Sequence, residues 1–345
     1  MLYITIIFAL LFLIAAYKIA VSHDGVRLYD FDLRETLPLR GILAVCVFLT
    51  HLCPHLDEAS PWLEDFGMWG PPSVACFFLL AGYGLAYSVK IKGPAYLDGF
   101  FRKRLSKLVW PFLIMAIIYQ TWRIYNGIFD WKQLLVEPSP LSWFIYALFI
   151  WYVGFYICFK GVKDYRSGIL RIWLFTAIYM FWTVSQEMGY YWISILPMPM
   201  AITYVFYEEK TKKFIQQHPY LSLSVVGGMF VMMMGYTLYG IYVHHLPGWG
   251  PLVYTTLPIW VVLLIYMLGG ARNIVINFLG RISYEIYIVH GFIVMLLADI
   301  ILIDNQNVNS VFVILLLFGV TVIGAWGLNG ICKILHEYLF PPLQR

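Results

Sequence analysis

The chain has 345 residues, of which 61% are hydrophobic and only 12% are charged. A soluble protein carries roughly 25% charged residues, so the composition excludes an ordinary soluble enzyme and indicates an integral membrane protein. The formal net charge of +4 is uninformative by itself, because the placement of the charges carries the information.

Apolar stretches of about 20 residues, long enough to cross a bilayer, follow one another along the chain. Lipid offers no partners to an open backbone, so each stretch is predicted to be helical. The sequence therefore predicts an all-α, polytopic membrane bundle of about eleven transmembrane helices forming a single domain over 1–345. These spans are expected near 2–22, 37–55, 68–89, 105–125, 141–160, 169–187, 190–207, 220–243, 252–270, 282–302 and 310–332.

The lysines and arginines predict the orientation, because cytosolic loops carry an excess of them. With the N-terminus outside, only Arg123 and Lys132 of the 23 basic residues lie on the outer side. The opposite orientation would invert this ratio. The sequence therefore predicts an extracytoplasmic N-terminus.

The second apolar stretch carries Arg40 and His51, with nothing ionisable between them. Eleven residues of helix return to within about 20° of the starting direction and rise roughly 16 Å, so both side chains project from one face. With Arg40 at the cytosolic mouth, His51 lies about halfway through the hydrocarbon core. Such residues usually face a bundle interior or a wet cavity, which leaves a packing role or a place on a substrate pathway.

Several short motifs follow in order along the chain: LPLRGILAVCVFLTH, SVACFFLLAGYGLAYS, FFRKRLSKLVWPF, SPLSWFIYALF and LGRISYEIYIVH. Together they resemble the bacterial acyltransferase family 3, whose hallmark is an arginine, ten residues and a histidine. The resemblance runs from about residue 36 to 335. It implies a core of about ten helices, to which the stretch 2–22 adds an N-terminal helix.

Known members of that family lie in the bacterial cytoplasmic (inner) membrane. They move an acyl group, often acetyl, from cytosolic acyl-CoA onto extracytoplasmic or lipid-linked sugars. The resemblance therefore implies a membrane O-acyltransferase that uses acyl-CoA, most simply acetyl-CoA, and a carbohydrate or lipid-linked glycan acceptor, with no nucleic-acid partner. The alternative is a secondary transporter or a lipid-linked glycan flippase, which would usually show internal symmetry; none is visible in the sequence.

His51 has two chemical roles open to it in acyl transfer. Neutral histidine is the usual general base for removing a hydroxyl proton. His51 could instead attack the thioester and form an acyl-histidine intermediate. Arg40 is expected to secure or neutralise the donor at the cytosolic mouth, and both residues are therefore predicted to be catalytic.

A basic cluster stands at the cytosolic start of a predicted helix: Arg102, Lys103, Arg104 and Lys107. Free backbone N–H groups at a helix start favour phosphate, and arginine matches phosphate geometry. The cluster is therefore predicted to hold the phosphates of coenzyme A. The alternative is an ordinary positive-inside anchor.

The last motif predicts a second polar site. Ser283, Tyr287 and His290 share one broad helix face, and His290 is expected at about the depth of His51. Two histidines at one depth could line a shared cavity, near whose entrance Trp143 is expected; hydrogen-bonded packing is the alternative.

Two charged residues near outer helix ends, Glu187 and Arg123, are predicted to contact the acceptor or to pair with each other or with loop charges. His51 and His55 have a spacing compatible with a metal. Pro54 between them suggests that the helix ends there, and no third ligand is evident, so no metal is predicted.

Overall fold

The computed structural model describes residues 33–52, 55–56, 70–188, 190–225, 227–228, 274–303 and 310–339. The spans predicted near 2–22 and 252–270, and most of the one near 220–243, lie outside these ranges. Every regular element within them is a helix.

The helices are named here in chain order. They are α1 Leu33–Leu52, α2 Gly70–Lys92, α3 Phe100–Tyr125, α4 Trp131–Val136, α5 Ser142–Phe159, α6 Tyr165–Ser185, α7 Pro197–Gln217, α8 Ile274–Arg281, α9 Ser283–Ile303 and α10 Ser310–Leu339, with short 3₁₀ turns at Pro94–Leu97 and Tyr191–Ser194.

The prediction of an all-α polytopic membrane protein is confirmed. In the part of the chain that the structure describes, five helices are long and apolar enough to cross a membrane, or six if the bent pair α8–α9 forms one span. Thr36–Leu52 is a shorter apolar helix. The span predicted near 190–207 is replaced by α7, which begins at Pro197 and is not among these helices, because its second half carries several charged residues.

The chain divides into two compact units. The histidine unit comprises the described residues of Leu39–Gly70, Tyr96–Tyr156 and Ile274–Arg345. The glutamate unit comprises Pro71–Ala95 and the described residues of Ile157–Asn273, preceded by the start of α1. Each unit is described by itself below.

In the histidine unit, α1 comes very close to α8. A Cβ atom at Gly41 would collide with the backbone carbonyl of Ile276, so only glycine permits this approach, as is common between membrane helices. The end of α1 then packs into an apolar core with α9 and α10, formed by Phe48, Leu52, Leu56, Val294, Val313 and Leu317. This packing turns the last turn of α1, with His51, toward α9.

Helix α9 starts after a bend of 76° from α8. Its first turn is attached to two neighbours: the Tyr284 hydroxyl donates to the Leu108 carbonyl of α3 at 2.6 Å, and Asn329 of α10 donates to Glu285 at 2.6 Å. These bonds fix the height and rotation of α9, and hence the position of His290 two turns further on.

In the glutamate unit, α2 and α7 are in close contact, since a Cβ at Gly82 would lie 2.7 Å from the Met198 carbonyl. A buried carboxylate joins them nearby: Glu208 accepts from the Tyr83 hydroxyl at 3.3 and 3.4 Å and pairs with Lys212 at 3.0 Å.

Candidate active site

The structure brings His51 and His290 into direct contact within the histidine unit. His290 Nε2 lies 3.1 Å from His51 Nδ1, and the ring centroids are 4.9 Å apart. His290 is fully buried and His51 is partly buried. One residue comes from the last turn of α1 and the other from the middle of α9, so the pair depends on the packing of these two helices.

The backbone partners of the two rings determine where the hydrogens are. His51 Nδ1 lies 2.9 Å from the Val47 carbonyl, and His290 Nδ1 lies 3.1 Å from the Ile286 carbonyl. A carbonyl oxygen only accepts, so each Nδ1 of the neutral rings carries the hydrogen. His51 Nδ1–H then donates to two acceptors, the Val47 carbonyl and His290 Nε2. The lone pair of His51 is therefore on Nε2, which has no hydrogen-bond partner within the described ranges.

The other residues predicted around His290 surround it from α5 and α9. The ring of Tyr287 lies 5.5 Å from that of His290 and 4.5 Å from that of Phe144. Ser283 is buried at the start of α9. Trp143 is beside Phe144, with ring centroids 6.2 Å apart, and of the two it is Phe144 that packs on Tyr287 of α9.

The basic cluster occupies the first two turns of α3, which begins at Phe100. Arg102 and Lys107 are exposed, whereas the side chain of Lys103 lies outside the described part of the structure. Arg104 is turned inward: its Nε donates to the Tyr96 hydroxyl at 2.8 Å, and its guanidinium lies 5.5 Å from the ring centroid of Tyr96.

Arg40 and Arg104 are near enough to interact electrostatically with each other and with Tyr152. Two guanidinium groups repel at this range, and an anion between them would turn the repulsion into attraction. The arginine of α1 and one arginine of the basic cluster thus belong to the same polar group in the histidine unit.

The two residues predicted for the outer side have different surroundings. Glu187 is exposed in the glutamate unit, in a left-handed conformation with φ 52° at the end of α6. Arg123 is only 5% exposed in the histidine unit, and its Nη2 donates to the Ile128 carbonyl at 2.8 Å and to Gln133.

Four further polar residues of the histidine unit were not predicted from the sequence: Tyr96, Gln120, Ser139 and Tyr152. Gln120 could have been found, because a glutamine three residues before an arginine shares its helix face in an otherwise apolar stretch. Tyr96, Ser139 and Tyr152 carry no such signal, since tyrosines and loop serines are frequent in this chain.

Within the ranges that the structure describes, no group of three or more His, Cys, Asp or Glu side chains is placed to hold a metal ion. No curated protein and no solved structure matches the chain significantly. A family model, described as an acyltransferase domain, matches residues 39–330, which includes both histidines, both interacting arginines and the basic cluster. The chain therefore belongs to acyltransferase family 3.

Proposed function

We propose that the protein is a membrane O-acyltransferase that moves an acyl group, most simply acetyl, from cytosolic acyl-CoA to a hydroxyl of a cell-surface or lipid-linked carbohydrate. In this proposal the chain is one transmembrane domain in a bacterial cytoplasmic membrane, with its N-terminus outside. The family match supports acyl transfer over a secondary transporter or flippase.

The observation that carries the proposal is the histidine pair. His51 Nε2 holds a lone pair and lacks a partner within the described ranges, whereas His51 Nδ1–H is oriented by Val47 and His290. A general base needs this arrangement: one nitrogen free for the substrate and the other fixed by an acceptor.

In the proposed reaction His51 acts as a general base. His51 Nε2 takes the proton of the acceptor hydroxyl while the hydroxyl oxygen attacks the thioester carbon. The carbon–sulfur bond then breaks, and the imidazolium returns the proton to the sulfur, giving an ester and free coenzyme A. While His51 is charged, its Nδ1–H bond toward His290 Nε2 strengthens. In the alternative route the same lone pair attacks the thioester carbon and the carbon–sulfur bond breaks, which leaves acyl-histidine and the coenzyme A thiolate. The acceptor hydroxyl then attacks the acyl carbon, the acyl–nitrogen bond breaks, and the hydroxyl proton passes to the thiolate or to solvent.

Arg40 and Arg104 are proposed to hold coenzyme A, with Arg102, Lys103 and Lys107 around them. The positive charges of Arg40 and Arg104 act on each other, so both would favour an anionic donor nearby, and arginine binds phosphate through paired hydrogen bonds. The rise of roughly 16 Å from Arg40 to His51 along α1 is a length that the extended pantetheine arm can bridge.

The test uses purified protein in nanodiscs with radiolabelled acetyl-CoA, first without acceptor and then with a hydroxylated sugar acceptor. Wild type is compared with His51→Ala and with the matched control His218→Ala, which removes an exposed histidine of the glutamate unit. The measured quantities are release of coenzyme A, label in the product and label retained on denatured protein.

Loss of coenzyme A release and of label transfer in His51→Ala alone is the expected result. Label retained on denatured wild type would identify the acyl-histidine route. If His51→Ala transfers acetyl as fast as wild type, the proposed role of His51 is wrong. If the wild type neither binds nor turns over acetyl-CoA, the proposed donor is wrong and a transport function becomes the better explanation.

A further inference from the structure

The guanidinium of Arg123 is a buried cation without a buried counter-charge. It is 5% exposed, and within the described ranges no aspartate or glutamate forms an ion pair with it. Its acceptors are neutral, the Ile128 carbonyl and Gln133, and its Nε–H has none. The guanidinium also lies 5.7 Å from the ring centroid of Tyr119, which is neutral as well. An unpaired buried charge costs several kcal/mol, so this site is electrostatically suited to an anion.

Two more buried polar atoms beside Arg123 have no hydrogen-bond partner: Gln120 Oε1 and Ser139 Oγ. Gln120 is three residues before Arg123 on α3, and its amide donates at 3.1 Å to the carbonyl of Pro138, which precedes Ser139. The three side chains therefore lie together. Unsatisfied buried polar groups cost about 1–3 kcal/mol each, and three of them in one place are an unusual concentration.

The loop that carries Ser139 contacts helix α9, which carries His290. A Cβ at Gly291 would lie 3.2 Å from Pro140 and 3.1 Å from Leu141, so the loop that carries Ser139 rests against α9 beside His290. The Tyr287 hydroxyl also donates to the Leu141 carbonyl at 3.4 Å. The loop that carries Ser139 is therefore in contact with the helix that carries His290.

The segment between α3 and α5 covers the group. The Ile128 and Pro138 carbonyls and the Gln133 side chain, which accept from Arg123 and Gln120, belong to it. It has left-handed residues at both ends, Gly127 with φ 68° and Leu141 with φ 64°. Its helix α4 has no buried residue. Few buried contacts favour local opening, so a ligand could displace the segment and take over the bonds of Arg123.

We infer that Arg123, Gln120 and Ser139 form a subsite for an oxyanion of the acyl acceptor, a carboxylate or a phosphate carried on a hydroxylated sugar. Arg123 donates to the oxyanion, Gln120 Oε1 accepts from a sugar hydroxyl, and Ser139 Oγ bonds either group. The inference rests on the proposed function, since it names the class of acceptor. It predicts that the acceptor is a charged sugar and not a neutral one.

The test measures binding without turnover, as the thermal denaturation midpoint of the protein in nanodiscs. The probes are glucuronate, glucose 1-phosphate and glucose, each titrated at matched ionic strength. Glucuronate separates a carboxylate acceptor from the phosphate of glucose 1-phosphate. We expect at least one anionic sugar to raise the midpoint at concentrations about tenfold below those needed with glucose.

Three variants distinguish a binding role from a structural one. Arg123→Gln is expected to abolish the preference for the anionic sugar. Gln133→Ala removes a competing acceptor of Arg123 and is expected to tighten binding, an effect opposite to that of mere destabilisation. Lys132→Gln, which removes an exposed cation of the same segment, is the matched control and is expected to bind as wild type does.

Equal responses of wild type to glucose and to both anionic sugars would overturn the inference, as would a preference that persists in Arg123→Gln. If Arg123→Gln does not fold, the inference is tested by the wild-type preference and by Gln133→Ala. Weaker binding of the anionic sugar by Gln133→Ala would also overturn the inference. Because these readouts need no acyl-CoA, they fail separately from the proposed function, which the acetyl-CoA assay tests.

Discussion

The two units differ in how completely their buried polar groups are paired. In the glutamate unit, Glu208 is 4% exposed, and both of its oxygens are engaged by Tyr83, with Lys212 at 3.0 Å and Lys90 at 4.0 Å. Lys90 in turn donates to the Val205 carbonyl at 2.9 Å. A buried charge that is fully paired contributes to a defined structure and has no capacity left for a ligand.

In the histidine unit, several buried or partly buried polar groups have incomplete partners. His51 Nε2 has none in the described structure, and Gln120 Oε1, Arg123 Nε and Ser139 Oγ have none either. Folding alone does not favour such groups, so their concentration in one unit agrees with the proposed position of the site in that unit. The comparison predicts that substitutions in the histidine unit change kinetics and that those in the glutamate unit change stability.

The largest expected effect is that of His290→Leu on kcat. Leucine cannot accept from His51 Nδ1–H, so the imidazole keeps only its bond to the Val47 carbonyl and is held less firmly; misplaced catalytic groups cost up to about 100-fold. His290→Gln keeps an acceptor oxygen near the position of Nε2 and is expected to recover part of kcat. Steady-state kinetics with acetyl-CoA measure both variants, and the KM for acetyl-CoA should stay unchanged.

His218→Leu is the control for the loss of a histidine elsewhere. Equal impairment by leucine and glutamine at position 290 would contradict a positioning role, since packing alone does not distinguish a side chain that accepts a hydrogen bond from one that does not.

The next largest expected effect is a loss of thermal stability in Glu208→Ala. This substitution leaves Lys212 and the Tyr83 hydroxyl without their acceptor, at about 1–3 kcal/mol, and this lowers the thermal denaturation midpoint in nanodiscs. The control is Glu209→Ala, which removes the exposed neighbouring carboxylate. Acetyl transfer per folded molecule should be unaffected, and a selective loss of kcat in a stable Glu208→Ala protein would break the comparison between the units.

The comparison also separates what the sequence could predict from what it could not. The apolar spans, the basic start of α3 and the shared face of Arg40 and His51 follow from helical periodicity and charge, which are local properties. The transmembrane span predicted at 190–207 was wrong in its limits, because the helix begins at Pro197 and continues into a charged region.

The sequence predicted that His51 and His290 lie at one depth and could line a shared cavity, but not their direct contact, because it joins residues 239 positions apart in the chain. The contact depends on close approaches such as that of Gly41 to Ile276, which no pattern in one helix reveals. The unpartnered atoms of Gln120 and Ser139 are equally inaccessible to sequence reasoning, since a missing hydrogen bond appears only after both neighbours are in place.

A smaller effect is expected on donor binding when Arg102→Ala is combined with Arg104→Ala. Hydrogen bonds to charged groups contribute about 1.5–3 kcal/mol, so the KM for acyl-CoA should rise about tenfold or more while the KM for the acceptor stays constant. Arg166→Ala, at the exposed start of α6, is the control for a basic helix start. Equal weakening of donor and acceptor would make the basic cluster an anchor in the membrane.

The smallest expected effect is that of Tyr83→Phe in the glutamate unit. The hydroxyl donates to Glu208 over 3.3 and 3.4 Å, which is long for such bonds, so its loss should cost only about 0.5–1 kcal/mol of stability. Lys212 still pairs with the carboxylate in this variant, and the midpoint should fall by less than in Glu208→Ala. The double variant Tyr83→Phe with Glu208→Ala should then be no less stable than Glu208→Ala alone, because the hydroxyl has already lost this acceptor. Additive losses would show that the Tyr83 hydroxyl contributes through a contact other than its bond to the carboxylate, because phenylalanine keeps the ring that stacks on Tyr87 at 5.8 Å.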